Sequence, residues 1–128
     1  MPVSTLDTVL GARFDNESTL IIVDIEGAEL GMLQGATLLL NSNIRPTWFV
    51  EISVSEHQPQ GIEINPNLLT TFELFSDLGY AAITADNKPR LIGIEEIRTI
   101  MAKKIDTLQT HNFIFIESAK IDQILSLI

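Results

Sequence analysis

Leu20-Ile21-Ile22-Val23-Asp24-Ile25-Glu26-Gly27-Ala28-Glu29 joins an apolar run to an acidic, glycine-bearing segment. Four apolar residues closed by a carboxylate read as a strand covered on both faces, as in parallel sheets. Gly27 gives the backbone freedom for a tight turn. Beyond it, Met32, Leu33, Ala36, Leu39 and Leu40 share one broad stripe at about 100° per residue, which predicts a helix over residues 28–41. Strand alternation puts Ile22 and Asp24 on one face, with Asp24 at the carboxyl end, where α/β sheets bind ligands.

Working outward, the alternation repeats. Pro46 marks the entry to a second strand, residues 47–52, which ends in Glu51-Ile52. A polar loop, residues 53–64, precedes a helix with Asn65 as N-cap, Pro66 in the first helical position and Gly79 at its end. Leu68, Leu69, Phe72 and Phe75 supply its buried face. Residues 80–84 read as a short strand. Ile94, Ile97, Met101, Ile105 and Leu108 mark a third helix, residues 112–117 a last strand, and residues 120–128 one amphipathic helical piece. Such alternation predicts an α/β fold with parallel pairing through right-handed crossovers and helices on the faces. The final strand is free to run antiparallel.

The 128 residues suit one domain with a single core, and no repeat or linker divides them. An apolar fraction of 45% and a charged fraction of 20% describe a globular chain. The absence of cysteine excludes disulfides, thiolate metal sites and cysteine nucleophiles. A net charge of −9, with only 8 Lys and Arg, argues against nucleic acid and against an anionic membrane surface. No apolar run approaches membrane-spanning length. Met1-Pro2-Val3-Ser4 lacks a basic segment followed by an apolar one, so a cytosolic (cytoplasmic) protein is expected.

The candidate functional residues are acids at strand ends. Glu29 falls inside the apolar stripe of its helix, so its carboxylate either binds amides at the helix start or turns into a site. Glu26 fits the same two roles. Asp24 and Glu51, each ending an apolar strand, would form a negative crevice suited to a cation or to substrate hydroxyls. His57, in the polar loop, is a candidate base or simply a solvated residue. His111 reads as structural, and Gly31 and Gly35 as positions of close helix packing. No Ser-His-Asp order and no phosphate-cradling glycine loop is present.

The segment from Leu20 to Glu29, followed by Met32-Leu33-Gln34-Gly35-Ala36, resembles the signature of the FkbM-type methyltransferases. Val3-Ser4-Thr5-Leu6-Asp7, Pro46 through Glu51-Ile52, and Leu78-Gly79-Tyr80 are similar to flanking elements of that family, so the resemblance runs from about Val3 to Glu117. It implies a Rossmann-like methyltransferase sandwich, with a mostly parallel sheet and an antiparallel last strand. The sheet's fourth to seventh strands would be residues 20–24, 47–52, 80–84 and 112–117. It also implies S-adenosylmethionine as cofactor and O-methylation of a small molecule or sugar. Asp24 would stand near the transferring methyl group, Asp24 or His57 would take a hydroxyl proton, and Glu26, Glu29 and Glu51 would line or brace the substrate site. No metal is assigned to the site, although the acid cluster could hold one.

The glycine-rich turn that grips the nucleoside in such enzymes has no counterpart here, since Gly11-Ala12-Arg13 does not match it. The chain therefore resembles the C-terminal, substrate-side half of the domain, and cofactor binding by it alone is not expected. The alternative is a non-catalytic binding or assembly module derived from such a domain. A phosphorylated receiver fits less well, lacking its paired early acids and late lysine. Either leading reading leaves residues 20–24 as a strand edge without charge, proline or bulge, which predicts a homodimer or a partner chain there unless residues 3–14 fold back over it.

Overall fold

The computed structural model describes residues 3–127; Met1 and Pro2 of the amino-terminal reading and Ile128 of the tail lie outside them. Helix α1 (Leu6–Leu10) starts on Thr5, whose hydroxyl accepts from the Thr8 amide at 3.0 Å. Strand β1 (Leu20–Val23) leads into α2 (Glu29–Gln34) and α3 (Thr37–Leu40), and β2 (Thr47–Glu51) follows. Then come α4 (Leu68–Asp77), β3 (Tyr80–Thr84), β4 (Leu91–Ile92), α5 (Ile94–Lys103) and β5 (Asn112–Glu117). A 3-10 turn (Ser118–Lys120) and α6 (Ile121–Leu125) complete the described chain. None of its helices is long and apolar enough to cross a membrane.

The five strands form one sheet in the order β1-β2-β5-β3-β4. Only β1 and β2 pair in parallel; β2–β5, β5–β3 and β3–β4 are antiparallel. The expected mostly parallel ladder is thus corrected. β1, β2 and β3 run in one direction, but β5 inserts between β2 and β3 and converts their contact into two antiparallel ones. The β3–β4 hairpin was also not foreseen. Its turn is fixed by Asp86, whose carboxylate accepts from the Lys88 amide at 3.1 Å. Arg90 makes two 2.8 Å hydrogen bonds to Glu96, tying the hairpin to α5. The Arg90 bond holds the Glu96 carboxyl below its usual range. This exposed pair contributes about 0.5 kcal/mol. The contribution is present above the ordinary glutamate range and is lost as the pH falls through the lowered value.

The predicted helix over residues 28–41 is instead two short helices broken at Gly35-Ala36. A Cβ on Gly35 would lie 3.0 Å from Thr5 Cβ, so the close approach of the start of α1 favours glycine there. Gly31 meets no such neighbour. The Gly35 carbonyl accepts from the Asp7 amide at 2.9 Å, and the Asp7 carboxylate accepts from Leu38 N–H at 2.8 Å. Asp7 thereby caps α3 from another element. Two further boundaries move. Helix α4 begins at Leu68 rather than at Pro66, because Asn65 closes a turn onto the Asn67 amide at 2.9 Å. Gly79, at φ +87°, follows that helix as expected. Helix α5 stops at Lys103, where Lys104 turns left-handed. Ile105 is consequently exposed, and Leu108 is buried from a loop.

One face of the sheet carries the core. Val23, Trp48, Val50, Tyr80, Ala82, Ile92, Phe113 and Phe115 point into it, and α2 to α5 add Leu33, Leu39, Leu40, Leu68, Phe72, Phe75, Ile97 and Ile100. Leu6 and Leu10 of α1 pack onto the same cluster. At its centre Phe75 stacks on Phe115, with ring centroids 3.8 Å apart, and meets Trp48 and Tyr80 edge-on. Tyr80 donates to the Leu40 carbonyl at 3.1 Å, and burial pushes its phenol above the ordinary value, so it stays neutral. Arg45 lies over the Tyr80 ring and donates to the carbonyls of Leu40 and Leu78, at the carboxyl ends of α3 and α4.

The opposite face is open at the β1 end, where Leu20 is 62% and Ile22 69% exposed. The run read as covered on both faces is covered on one, and helices on both faces are not found there. The sheet ends at β1, and α1 to α5 all pack against the other side. Helix α1 lies against α3.

Candidate functional site

The turn after β1 is built by Glu29. Its side chain is 3% exposed, and Oε1 accepts from the Gly27 amide at 3.0 Å. This bond draws the chain back on itself and requires the left-handed φ of +95° at Gly27 and +44° at Glu26. Glu29 therefore braces the turn, one of the two roles its place in the apolar stripe allowed. Glu29→Ala is expected to lower stability by about 1–3 kcal/mol, with Glu29→Gln retaining most of it. Urea midpoints decide the matter, and an unchanged midpoint in Glu29→Ala would remove the bracing role.

The loop after β2 faces this turn. Asn65 holds its base: its amide donates to the Val54 carbonyl at 2.7 Å and its side-chain nitrogen to the Ser53 carbonyl at 2.9 Å. The Glu56 carboxylate accepts from the Val54 amide at 2.9 Å. His57, exposed at the tip, adopts φ +61°.

Between turn and loop lies a cleft of about 330 Å³ lined by Glu26, Gly27, Ser53, His57, Asn65 and Asn67, together with Gln58, Pro59, Ile62 and Pro66. Among the described residues, two of the three non-glycine residues at positive φ, Glu26 and His57, border it. Such backbone strain concentrates at functional sites. A cavity of about 230 Å³ between α4 and the β3–β4 hairpin has Tyr80 as its only titratable wall residue, so it offers little chemistry.

The structure thus brings Glu26 and His57 to one cleft, with Glu29 directly behind it. Asp24 and Glu51 stand apart from that wall. Register places them side by side past Val23 and Val50, both exposed at the carboxyl ends of β1 and β2. The one group of three potential ligands among the described residues is elsewhere, at Glu56, Asp106 and His111. Sequence reasoning missed that group because it depends on the β2–β5 register, which sets His111 beside Ile52.

A mixed sheet with helices packed on it and a polar cleft beyond its parallel strand ends fits an α/β domain of the methyltransferase-like kind. A model of the methyltransferase FkbM domain matches residues 1–82, a segment that includes the whole wall of the cleft. The chain belongs to the FkbM methyltransferase family. No curated protein and no solved structure matches it.

Proposed function

We propose that the chain supplies the acceptor side of an S-adenosylmethionine-dependent methyltransferase that O-methylates a small molecule or sugar. The observation that carries this reading is the cleft, where a carboxylate and an imidazole meet at the mouth of the family's signature turn. Methyl transfer to oxygen requires an aligned hydroxyl that gives up its proton as the bond forms. Glu26 accepts hydrogen bonds from acceptor hydroxyls, and Asn67 and Ser53 add polar groups beside it. His57 takes the reacting proton at its imidazole nitrogen. Asp24 and Glu51 lie just outside, where they repel anionic ligands and favour neutral polyols.

The described residues do not fit the cofactor. The strand-to-helix turn they offer is occupied by Glu29, and no glycine-rich turn provides a cradle for a nucleoside. The acceptor is therefore expected to bind this chain without the cofactor. Calorimetric titration with S-adenosylmethionine should give no micromolar binding, and labelled cofactor no methyl transfer by the chain alone. Micromolar binding would overturn the acceptor-side reading in favour of a complete enzyme.

The open face and free edge of β1 support association as part of the same function. Leu20 and Ile22 expose apolar surface next to unpaired ladder groups, and β1 carries no lysine, proline or bulge to guard them. A second copy of the chain adds its own β1 there, extending the sheet across a two-fold axis.

A further inference from the structure

We propose that Glu56, Asp106 and His111 form a site for one first-row divalent cation of the zinc type, which fastens the cleft loop to the entry of β5. His111 Nε2 lies 3.0 Å from Glu56 Oε2 and 3.5 Å from Asp106 Oδ2. Ligand atoms held about 2.0–2.2 Å from a common metal are spaced about 3.0–3.5 Å from one another, the range of both imidazole–carboxylate distances here, and all three atoms lie within 4.8 Å of one another.

The remaining oxygens are already committed. Glu56 Oε1 accepts from the Val54 amide at 2.9 Å, and Asp106 Oδ1 from the Leu108 amide at 2.9 Å. Each carboxylate is thus oriented by the backbone with its second oxygen directed at the imidazole, the support that metal ligands characteristically receive, and Asp106 Oδ2 also accepts from the Ser55 hydroxyl at 3.3 Å. The His111 carbonyl accepts from the Ile52 amide at 2.8 Å, which fixes the residue at the β2–β5 junction.

Charge points the same way. Two carboxylates balance a divalent ion, and their mutual repulsion is relieved by it. One imidazole with two carboxylates suits zinc and its first-row neighbours better than magnesium or calcium, which prefer oxygen alone. Partial exposure of all three side chains leaves room for water in a further coordination position. The site differs from the acceptor cleft, and Asp106 and His111 lie beyond the family-matched segment. It nonetheless controls that cleft, because Glu56 adjoins His57 on the same loop.

The test is calorimetric titration of the metal-free chain with zinc chloride, with cobalt(II) as a spectroscopic probe. One equivalent is expected to bind, to raise the melting temperature, and to give the visible bands of an imidazole–carboxylate cobalt site. Glu56→Gln, Asp106→Asn and His111→Gln should each weaken binding at least about a hundredfold. His57→Gln, which replaces the chain's other histidine, should not. Circular dichroism identifies any variant that fails to fold, and the remaining ones then decide. Absence of one-equivalent binding, or binding that survives the three substitutions and is lost in His57→Gln, would overturn the proposal and leave the cluster a simple ion pair.

Discussion

Phe75→Ala is expected to destabilise the protein by about 3–5 kcal/mol. Phe75 is fully buried, stacked on Phe115 and in edge contact with Trp48 and Tyr80. Its removal empties a position where α4 meets β2, β3 and β5, and the strand backbones are constrained by the ladder against collapsing inward. A domain of this size has about 5–15 kcal/mol in total, so the variant should melt far lower or fail to fold at 37 °C. Phe75→Leu, which keeps most of the volume, should recover more than half of the loss. Urea melts of the three proteins provide the comparison. An effect below about 1 kcal/mol for Phe75→Ala would mean that the aromatic cluster does not hold helix to sheet.

Ile22→Lys carries the second large effect, on association. Full burial of an isoleucine contributes about 1.5–3 kcal/mol, and a two-fold contact counts it twice. A lysine on an edge strand is also the device by which natural sheets resist further pairing. The substitution should therefore raise the dimer dissociation constant at least tenfold while leaving the melting of the monomer nearly unchanged, since Ile22 is 69% exposed. Light scattering across a dilution series reads the first quantity. A wild-type chain that stays monomeric at high concentration, with β1 amides already protected from exchange, would contradict association through this edge.

The sequence made some of this legible and hid the rest for identifiable reasons. Residues 20–29 announced a strand, a glycine turn and a helix, and all three are present, because apolar run, carboxylate and glycine act locally. Gly79 likewise ended its helix through its own φ. The break at Gly35 was not legible, since it is imposed by Thr5 and Asp7 from thirty residues away. Nor was the sheet order: β5 is apolar enough to sit anywhere, and only its antiparallel fit between β2 and β3 assigns it. The open face escaped the reading because Leu20 and Ile22 look identical whether or not anything covers them.

The candidate site divides the same way. Glu26 and His57 were singled out from separate segments, and the fold brings them to one wall. Glu29 stood out by its place in the apolar stripe, and its partner proved to be an amide two residues away. Asp24 and Glu51 were grouped with them by position, and they stand side by side, exposed, at the ends of their strands. The His111 cluster had no local signature, since its members come from three separate points in the chain.

Backbone amide chemical-shift mapping during titration with neutral hydroxyl-bearing compounds, monosaccharides among them, shows whether the cleft binds the acceptor. Saturable shifts are expected at Glu26, Gly27, Ser53, His57 and Asn67, with the cavity beside Tyr80 and Leu91 unaffected. Shifts confined to that cavity, or none in the cleft for any compound at millimolar concentration, would contradict the assignment of the cleft as the acceptor site.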